Sequence, residues 1–118
     1  MKKPDNLEQF NARMEAACEG TAWEWAPGYW SEVEIIPRIK FTEETMAQKY
    51  VNDGPFIYAP AIYFNEFPFG THEWRFEIQT VSVGTLSSSE IDKFAAALLD
   101  ASALVKKLTS ILAEYYEI

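Results

Sequence analysis

The feature that most constrains the fold of this chain is a regular apolar stripe between Ser87 and Tyr116. Apolar residues recur there at spacings of three and four, the period of one face of an α-helix packed against other elements. A second row beside the first makes the stripe broad. The first row is Ile91, Phe94, Leu98, Ala101, Val105, Leu108, Leu112 and Tyr115, and the second is Ala97, Leu104, Ile111 and Ile118. At about 1.5 Å per residue this helix would run roughly 40–45 Å, so we expect it to span the whole domain.

The residues at the start of this helix match a capping box. Ser87 and Glu90 stand three positions apart, so each side chain can satisfy a free backbone N–H of the first turn. Leu99 is the one large apolar residue on the otherwise charged side of the helix. It leaves two interpretations open: a stray surface leucine, or a second apolar contact such as a dimer seam or a partner surface.

The first forty residues predict a helix followed by a hairpin. Asp5 or Asn6 can cap a helix that Gly20 ends, and its apolar stripe is Leu7, Phe10, Met14, Ala17 and Cys18. Extended runs flank a Pro27-Gly28 turn. The second run alternates, with Val33, Ile35, Ile39 and Phe41 expected on one side and Glu32, Glu34, Arg38 and Lys40 on the other. Three tryptophans in this region, Trp23, Trp25 and Trp30, could form a binding platform or close the core against a helix.

The middle of the chain predicts a short helix and two more strands. Thr42 would cap a helix over residues 43–51, and strands are expected over residues 56–64 and 73–83. The order of elements predicts an α+β fold in a single domain of residues 1–118. Its antiparallel sheet of about four strands would be covered by the long C-terminal helix, with an N-terminal helix and a short middle helix beside it.

Charge distribution restricts the class of partner. The formal net charge is −8, and no basic residue lies between Arg13 and Arg38. Direct nucleic-acid binding is therefore disfavoured, because phosphates are neutralised by Lys and Arg. A protein partner with a basic surface is more natural. Mild acidity that serves solubility alone explains the same charge and stays open.

Several observations bear on the compartment and on chemistry. A single cysteine, Cys18, and the lack of a long apolar run favour a cytoplasmic protein without a membrane segment. The glycines are scattered and His72 is the only histidine, so we expect no cofactor, no metal site and no enzymatic activity. Strand alternation would place His72 and Glu73 on opposite faces, which separates the members of a possible acid/base cluster.

The loop from Asn65 to His72 is unusual because Phe67 and Phe69 bracket a proline. Apolar side chains on a constrained loop are typical of interaction hot spots, although they could also fold back into the core.

These observations lead to three hypotheses of function. The first is a small acidic protein-binding module, of the inhibitor or immunity type and encoded by a phage or mobile element, which mimics nucleic acid and occludes a basic nucleic-acid-binding surface of a target enzyme. Its partner-binding residues would be Glu24, Glu32, Glu34, Glu43, Glu44 and Glu66, with Phe67 and Phe69 as anchors. The second is a homo-oligomeric assembly protein, a homodimer for example, that associates through the C-terminal helix. The third is a small-molecule binder or enzyme with an aromatic pocket formed by Trp23, Trp25, Tyr58 and Tyr63.

Overall fold

A computed structural model describes residues 1–42, 60–65, 72–77 and 87–118. The chain folds into two helices and a four-stranded antiparallel sheet. In chain order the elements are α1 (Leu7–Cys18), β1 (Trp23–Trp25), β2 (Arg38–Phe41), β3 (Ala61–Asn65), β4 (Glu73–Glu77) and α2 (Ser88–Tyr115). The α+β prediction with a sheet of four strands and a long C-terminal helix is confirmed. The predicted middle helix, residues 43–51, lies outside the described residues.

The sheet is a meander in which each strand pairs with the next, in the order β1-β2-β3-β4. Directly paired residues share a face of the sheet, so the register sorts the side chains into two faces. One row of the inner face runs Trp25, Ile39, Ile62 and Phe76, and an adjacent row of the outer face begins with Glu24 and Lys40. The period of two in the sequence therefore predicted the faces of β2 correctly.

Helix α1 begins and ends at the residues that the sequence indicates. The Asn6 side chain accepts a hydrogen bond from the Gln9 backbone N–H at 3.0 Å. Gly20 has a φ of 75°, a left-handed conformation that glycine adopts without a steric penalty. The buried face of α1 consists of Phe10, Met14, Ala17 and Cys18, as its apolar stripe predicts.

Helix α2 lies across the inner face and closes the core. Its capping box is formed, with the Ser87 hydroxyl accepting from the Glu90 N–H and the Glu90 carboxylate accepting from the Ser87 N–H. Its buried residues are Ala97, Ala101, Leu104, Leu108 and Leu112. Ile91 and Leu98 are exceptions to the predicted stripe, since they remain 53% and 37% exposed.

Aromatic side chains join the two helices to the sheet. The ring of Phe10 lies edge-on to Trp25 at a centroid distance of 5.8 Å and to Tyr115 at 5.0 Å. Trp23 is buried and donates its indole N–H to the backbone carbonyl of Ala97 at 2.8 Å. Buried aromatic contacts therefore hold α1 and β1 against α2.

The connection between β1 and β2 is a loop rather than a continuous hairpin. Gly28 and Ile36 exchange two backbone hydrogen bonds of 2.9 and 2.7 Å, which close the loop at its base. The N-terminal residues run beside the returning arm, where the Lys3 N–H donates to the Val33 carbonyl at 2.7 Å. The prediction that Val33 faces the core with Ile35 is wrong, because Val33 is 61% exposed whereas Ile35 is fully buried. Burial alternates without a break from Ile35 through Pro37 to Phe41, at the end of β2.

In the parts of the chain that the structure describes, no helix combines the length and apolar character needed to cross a membrane.

Candidate interaction surfaces

The structure separates the predicted partner-binding carboxylates by environment. Glu24 is exposed on the outer face of β1, directly opposite Lys40. Glu32 is exposed in the loop between β1 and β2. Glu34 is half-buried, and its carboxylate lies 3.3 Å from the α-amino group of Met1. Glu34 is therefore engaged within the protein, while Glu24 and Glu32 present their carboxylates to solvent.

The other predicted partner-binding residues lie outside the described residues. They are Glu43, Glu44, Glu66, Phe67 and Phe69. The structure therefore neither brings them together with Glu24 and Glu32 nor separates them.

An acidic cleft lies between the last turns of α1 and the strand β1. The depression has a volume of about 340 Å³. Its lining residues, which define the acidic cleft, are Glu15, Cys18, Glu19, Trp23, Glu24 and Trp25. The three carboxylates are on exposed residues, whereas the two tryptophans and the cysteine are buried and form its floor. The lining of the cleft thus combines buried apolar residues with exposed acidic ones.

The carboxylates of the cleft have no partner within the described structure. None of the three lies within salt-bridge distance of a cation among the residues described. Two lysines are nearby: Lys40 opposite Glu24 in the sheet, and Lys107 on α2 close enough to Cys18 to affect its ionisation. These lysines reduce the negative potential of the cleft without occupying it.

Cys18 is not equipped to act as a nucleophile. Burial raises the pKa of its thiol to about 11, while the Lys107 charge opposes that shift and the Glu15 charge adds to it. At neutral pH the side chain is a thiol, and thiols are poor nucleophiles and metal ligands. Among the described residues, no group of three or more His, Cys, Asp or Glu side chains could hold a metal ion. Cys18 therefore contributes to the cleft lining as a buried neutral thiol.

A second surface is formed by the loop of residues 28–36, here called the Trp30 loop. Tyr29, Trp30 and Val33 are 51%, 57% and 61% exposed. Single exposed apolar residues are normal, but three within five positions of one loop are an unusual concentration. The exposed carboxylate of Glu32 lies among them in sequence.

The three tryptophans of this region have separate roles. Trp23 and Trp25 are buried in the core, and their indole N–H groups donate to Ala97 and Asn11 at 2.8 and 2.9 Å. The indole of Trp74 likewise donates to the Thr109 hydroxyl at 2.8 Å. Trp30 has no such acceptor among the described residues. The structure therefore places two members of the predicted platform in the core and leaves one available to a partner.

The residues of the predicted aromatic pocket do not share a face of the sheet. Tyr63 pairs with Arg38 on the outer face, whereas Trp23 and Trp25 lie on the inner face. Tyr58 lies outside the described residues. His72 stacks on the ring of Phe64, with parallel planes and centroids 5.8 Å apart, so its described contact is apolar packing.

Sequence reasoning missed part of both surfaces. Glu15 and Glu19 are four residues apart on α1, a spacing that places them on one face of the helix. Their convergence with Glu24 depends on the packing of α1 on β1, which no local pattern reveals. The exposure of Trp30 and Val33 likewise depends on where the loop closes.

Comparisons of the chain with protein-family models, with curated proteins and with solved structures found no match.

The two surfaces lie at opposite ends of α1. The acidic cleft is at its Cys18 end, and the Trp30 loop pairs with Lys3, which precedes the helix. They differ in chemistry, since one is a charged depression and the other an apolar projection.

Proposed function

We propose that this protein is a small acidic protein-binding module, of the inhibitor or immunity type, that occludes a basic, nucleic-acid-binding surface of a target enzyme. The observation that carries the proposal is the acidic cleft, whose lining combines three exposed acidic residues with two buried tryptophans. Such a depression is complementary to a lysine or arginine side chain that would otherwise contact a phosphate.

The charge of the whole protein supports the same role. A net charge of −8 on 118 residues creates a negative field that steers a basic partner towards the protein. Glu32, which is exposed at the other end of α1, extends the negative surface beyond the cleft. A phage or mobile element that must silence a nucleic-acid enzyme is a setting that fits a protein of this size and charge.

The acidic residues of the cleft limit which partner can bind. They repel a nucleic acid or an acidic protein, although Lys40 and Lys107 lie close by and weaken that repulsion. A basic side chain that enters the cleft meets three acidic residues of its lining. Electrostatic attraction of this kind weakens as salt is added, because ions screen exposed charges over about 10 Å at 0.1 M.

A charge-matched capture experiment tests the proposal. The cleft variant carries Glu15→Gln, Glu19→Gln and Glu24→Gln. The control variant carries Asp92→Asn, Asp100→Asn and Glu117→Gln, which removes the same charge at exposed positions away from the cleft. Each protein is immobilised and exposed to a lysate of the encoding organism at low salt, and retained proteins are identified by mass spectrometry.

We expect wild type and the control variant to retain one stoichiometric basic nucleic-acid-binding protein that the cleft variant loses. Moderate salt should release it, and added nucleic acid should compete with it. Equal retention by the cleft and control variants, or retention that is indifferent to salt, would contradict the proposal.

A second candidate function is self-association through α2. Leu99 is 76% exposed on the polar side of the helix, the highest exposure among the large apolar residues that the structure describes. If it forms a dimer seam, Leu99→Asp should convert a dimer into a monomer in light scattering. A mass that is the same for wild type and variant would exclude this role for Leu99.

A further inference from the structure

We propose that the Trp30 loop is the part of the interface that recognises an arginine side chain, presented beside apolar residues on the protein partner. The inference rests on the proposed function for one premise only, namely that the partner is a protein with a basic surface. It adds a second contact at the end of α1 opposite the acidic cleft and names the side chain that this contact accepts.

The loop is held in place by its backbone. Its base is closed by the Gly28 and Ile36 hydrogen bonds, and Val33 and Ile35 are bonded to the N-terminal residues. The Val33 N–H also donates to the Ser31 hydroxyl at 3.2 Å. A loop fixed at these points presents its side chains without a large ordering cost, which is the condition for an effective binding loop.

The Trp30 indole is the part of the loop with unused binding capacity. It is 57% exposed, and its N–H has no acceptor among the described residues, whereas Trp23, Trp25 and Trp74 each donate within the protein. Tryptophan is enriched at energetically dominant interface positions because it combines a large apolar face with one donor. Tyr29 and Val33, in the same loop, are also more than half exposed.

The loop already accepts one cation within the protein. The Lys3 ammonium lies 4.3 Å from the centroid of the Tyr29 ring, within the range of a cation–π interaction. Tryptophan is the better ring for this interaction, and Trp30 has no cation on it in the described structure. The exposed carboxylate of Glu32, which makes no salt bridge with the described residues, stands two positions further on.

An exposed indole with an exposed carboxylate two positions away in the same loop favours arginine over lysine. The guanidinium is planar, stacks on an aromatic ring and can donate two parallel hydrogen bonds to a carboxylate, whereas an ammonium is a compact, strongly hydrated charge. An anionic membrane is the competing occupant, because Lys2 and Lys3 lie near the loop. Glu32 within the loop and the net charge of −8 oppose that binding.

The test follows the four indole N–H signals of the protein by ¹⁵N–¹H NMR. Three blocked tripeptides are titrated, each with leucine on both sides of a central arginine, lysine or citrulline. We expect the arginine peptide to change the chemical shift of the Trp30 indole N–H. The signals of the three indoles that are hydrogen-bonded within the protein should not shift. The dissociation constant of the lysine peptide should be larger by at least about threefold. That of the neutral citrulline peptide should be larger still.

Variants separate this inference from the proposed function. Glu32→Gln should lower the affinity for the arginine peptide by about threefold or more. Trp30→Ala should abolish the changes in backbone chemical shift that this peptide causes in the loop. The cleft variant should bind the arginine peptide with the same affinity as wild type. Loss of partner capture by the cleft variant therefore tests the proposed function, and loss of peptide binding by the loop variants tests this inference independently.

Three results would overturn the inference. The first is a Trp30 signal that the arginine peptide does not shift. The second is equal affinity for the arginine and lysine peptides, together with an affinity for the arginine peptide that Glu32→Gln leaves unchanged. The third is broadening of the Trp30 signal by vesicles of anionic lipid when no peptide changes it.

Discussion

The two ends of α2 carry the same apolar spacing but are packed differently. Towards the C-terminal end, Leu108 and Leu112 are fully buried against the core. Towards the N-terminal end, Ile91 is 53% exposed and Leu98 is 37% exposed. The period of a stripe therefore determines which side of a helix can be buried, while the neighbouring elements determine how much of it is.

The N-terminal end is held by other interactions. The capping box satisfies backbone groups of the first turn. Phe94 contacts the rings of Phe41 and Phe76 at centroid distances of 5.6 and 5.7 Å, although Phe76 is itself 43% exposed. Fewer buried apolar contacts imply a lower free energy of local opening at this end of the helix.

The largest expected effect tests the contrast directly. Leu108→Ala should lower the free energy of unfolding by about 2–5 kcal/mol, because it removes a fully buried side chain and leaves a cavity. Ile91→Ala should cost less than about 1 kcal/mol, since about half of the side chain is already in water. Urea unfolding of both variants measures the difference. Similar losses would show that the exposed end contributes to the core as much as the buried one.

A second prediction concerns the middle of the helix, where β1 reaches it. Trp23→Phe should lower the free energy of unfolding by about 1–3 kcal/mol, because it removes the hydrogen bond to Ala97 and leaves a small cavity. Trp30→Phe is the matched control and should change stability by less than about 0.5 kcal/mol. If the two variants unfold at the same urea concentration, the buried indole bond has no net effect on stability.

A third prediction sharpens the comparison at the capped end. Ser87→Ala removes a side-chain acceptor of the capping box and should cost about 0.5–2 kcal/mol. The backbone N–H of Ile91, which donates to the Ser87 carbonyl at 2.9 Å, should exchange faster with deuterium. The amide of Leu108 should change only by the global loss of stability. Equal acceleration at both residues would mean that the helix opens as a single unit.

A fourth prediction concerns pH at the end of α1, where Cys18 lies near Lys107. Burial raises the pKa of the folded thiol to about 11 from 9.0, so the unfolded chain loses this proton first. The free energy of unfolding should therefore fall as pH rises from about 9 towards 11. Comparison with Cys18→Ala across this range isolates the contribution, and parallel curves would show that the thiol titrates alike in both states.

The sequence predicts local structure well where a feature depends only on residues close to it in the chain. The Ser87 and Glu90 cap, the Gly20 stop and the alternation of β2 were all confirmed, because each depends on neighbours within a few residues. Val33 was assigned to the wrong side, since its position depends on a bridge between Gly28 and Ile36.

The candidate site was only partly predictable. Glu24 and Glu32 were identified from charge alone, but the exposure of a carboxylate does not follow from residue type, as the internal ion pair of Glu34 shows. Glu15 and Glu19 join Glu24 only after α1 packs on β1. Tertiary contacts between residues distant in sequence therefore decide which charges act together.

The contacts between the first and last elements also determine when the protein can fold. Arg13 on α1 pairs with Glu114, and Trp23 bonds to Ala97, across sequence separations of 101 and 74 residues. During synthesis the apolar faces of α1 and β1 must wait for α2 to leave the ribosome before they can be covered. Folding with such non-local contacts is slow, and its uncovered intermediates are prone to aggregate. The apolar faces of α1 and β1 therefore stay exposed to water until α2 has been made.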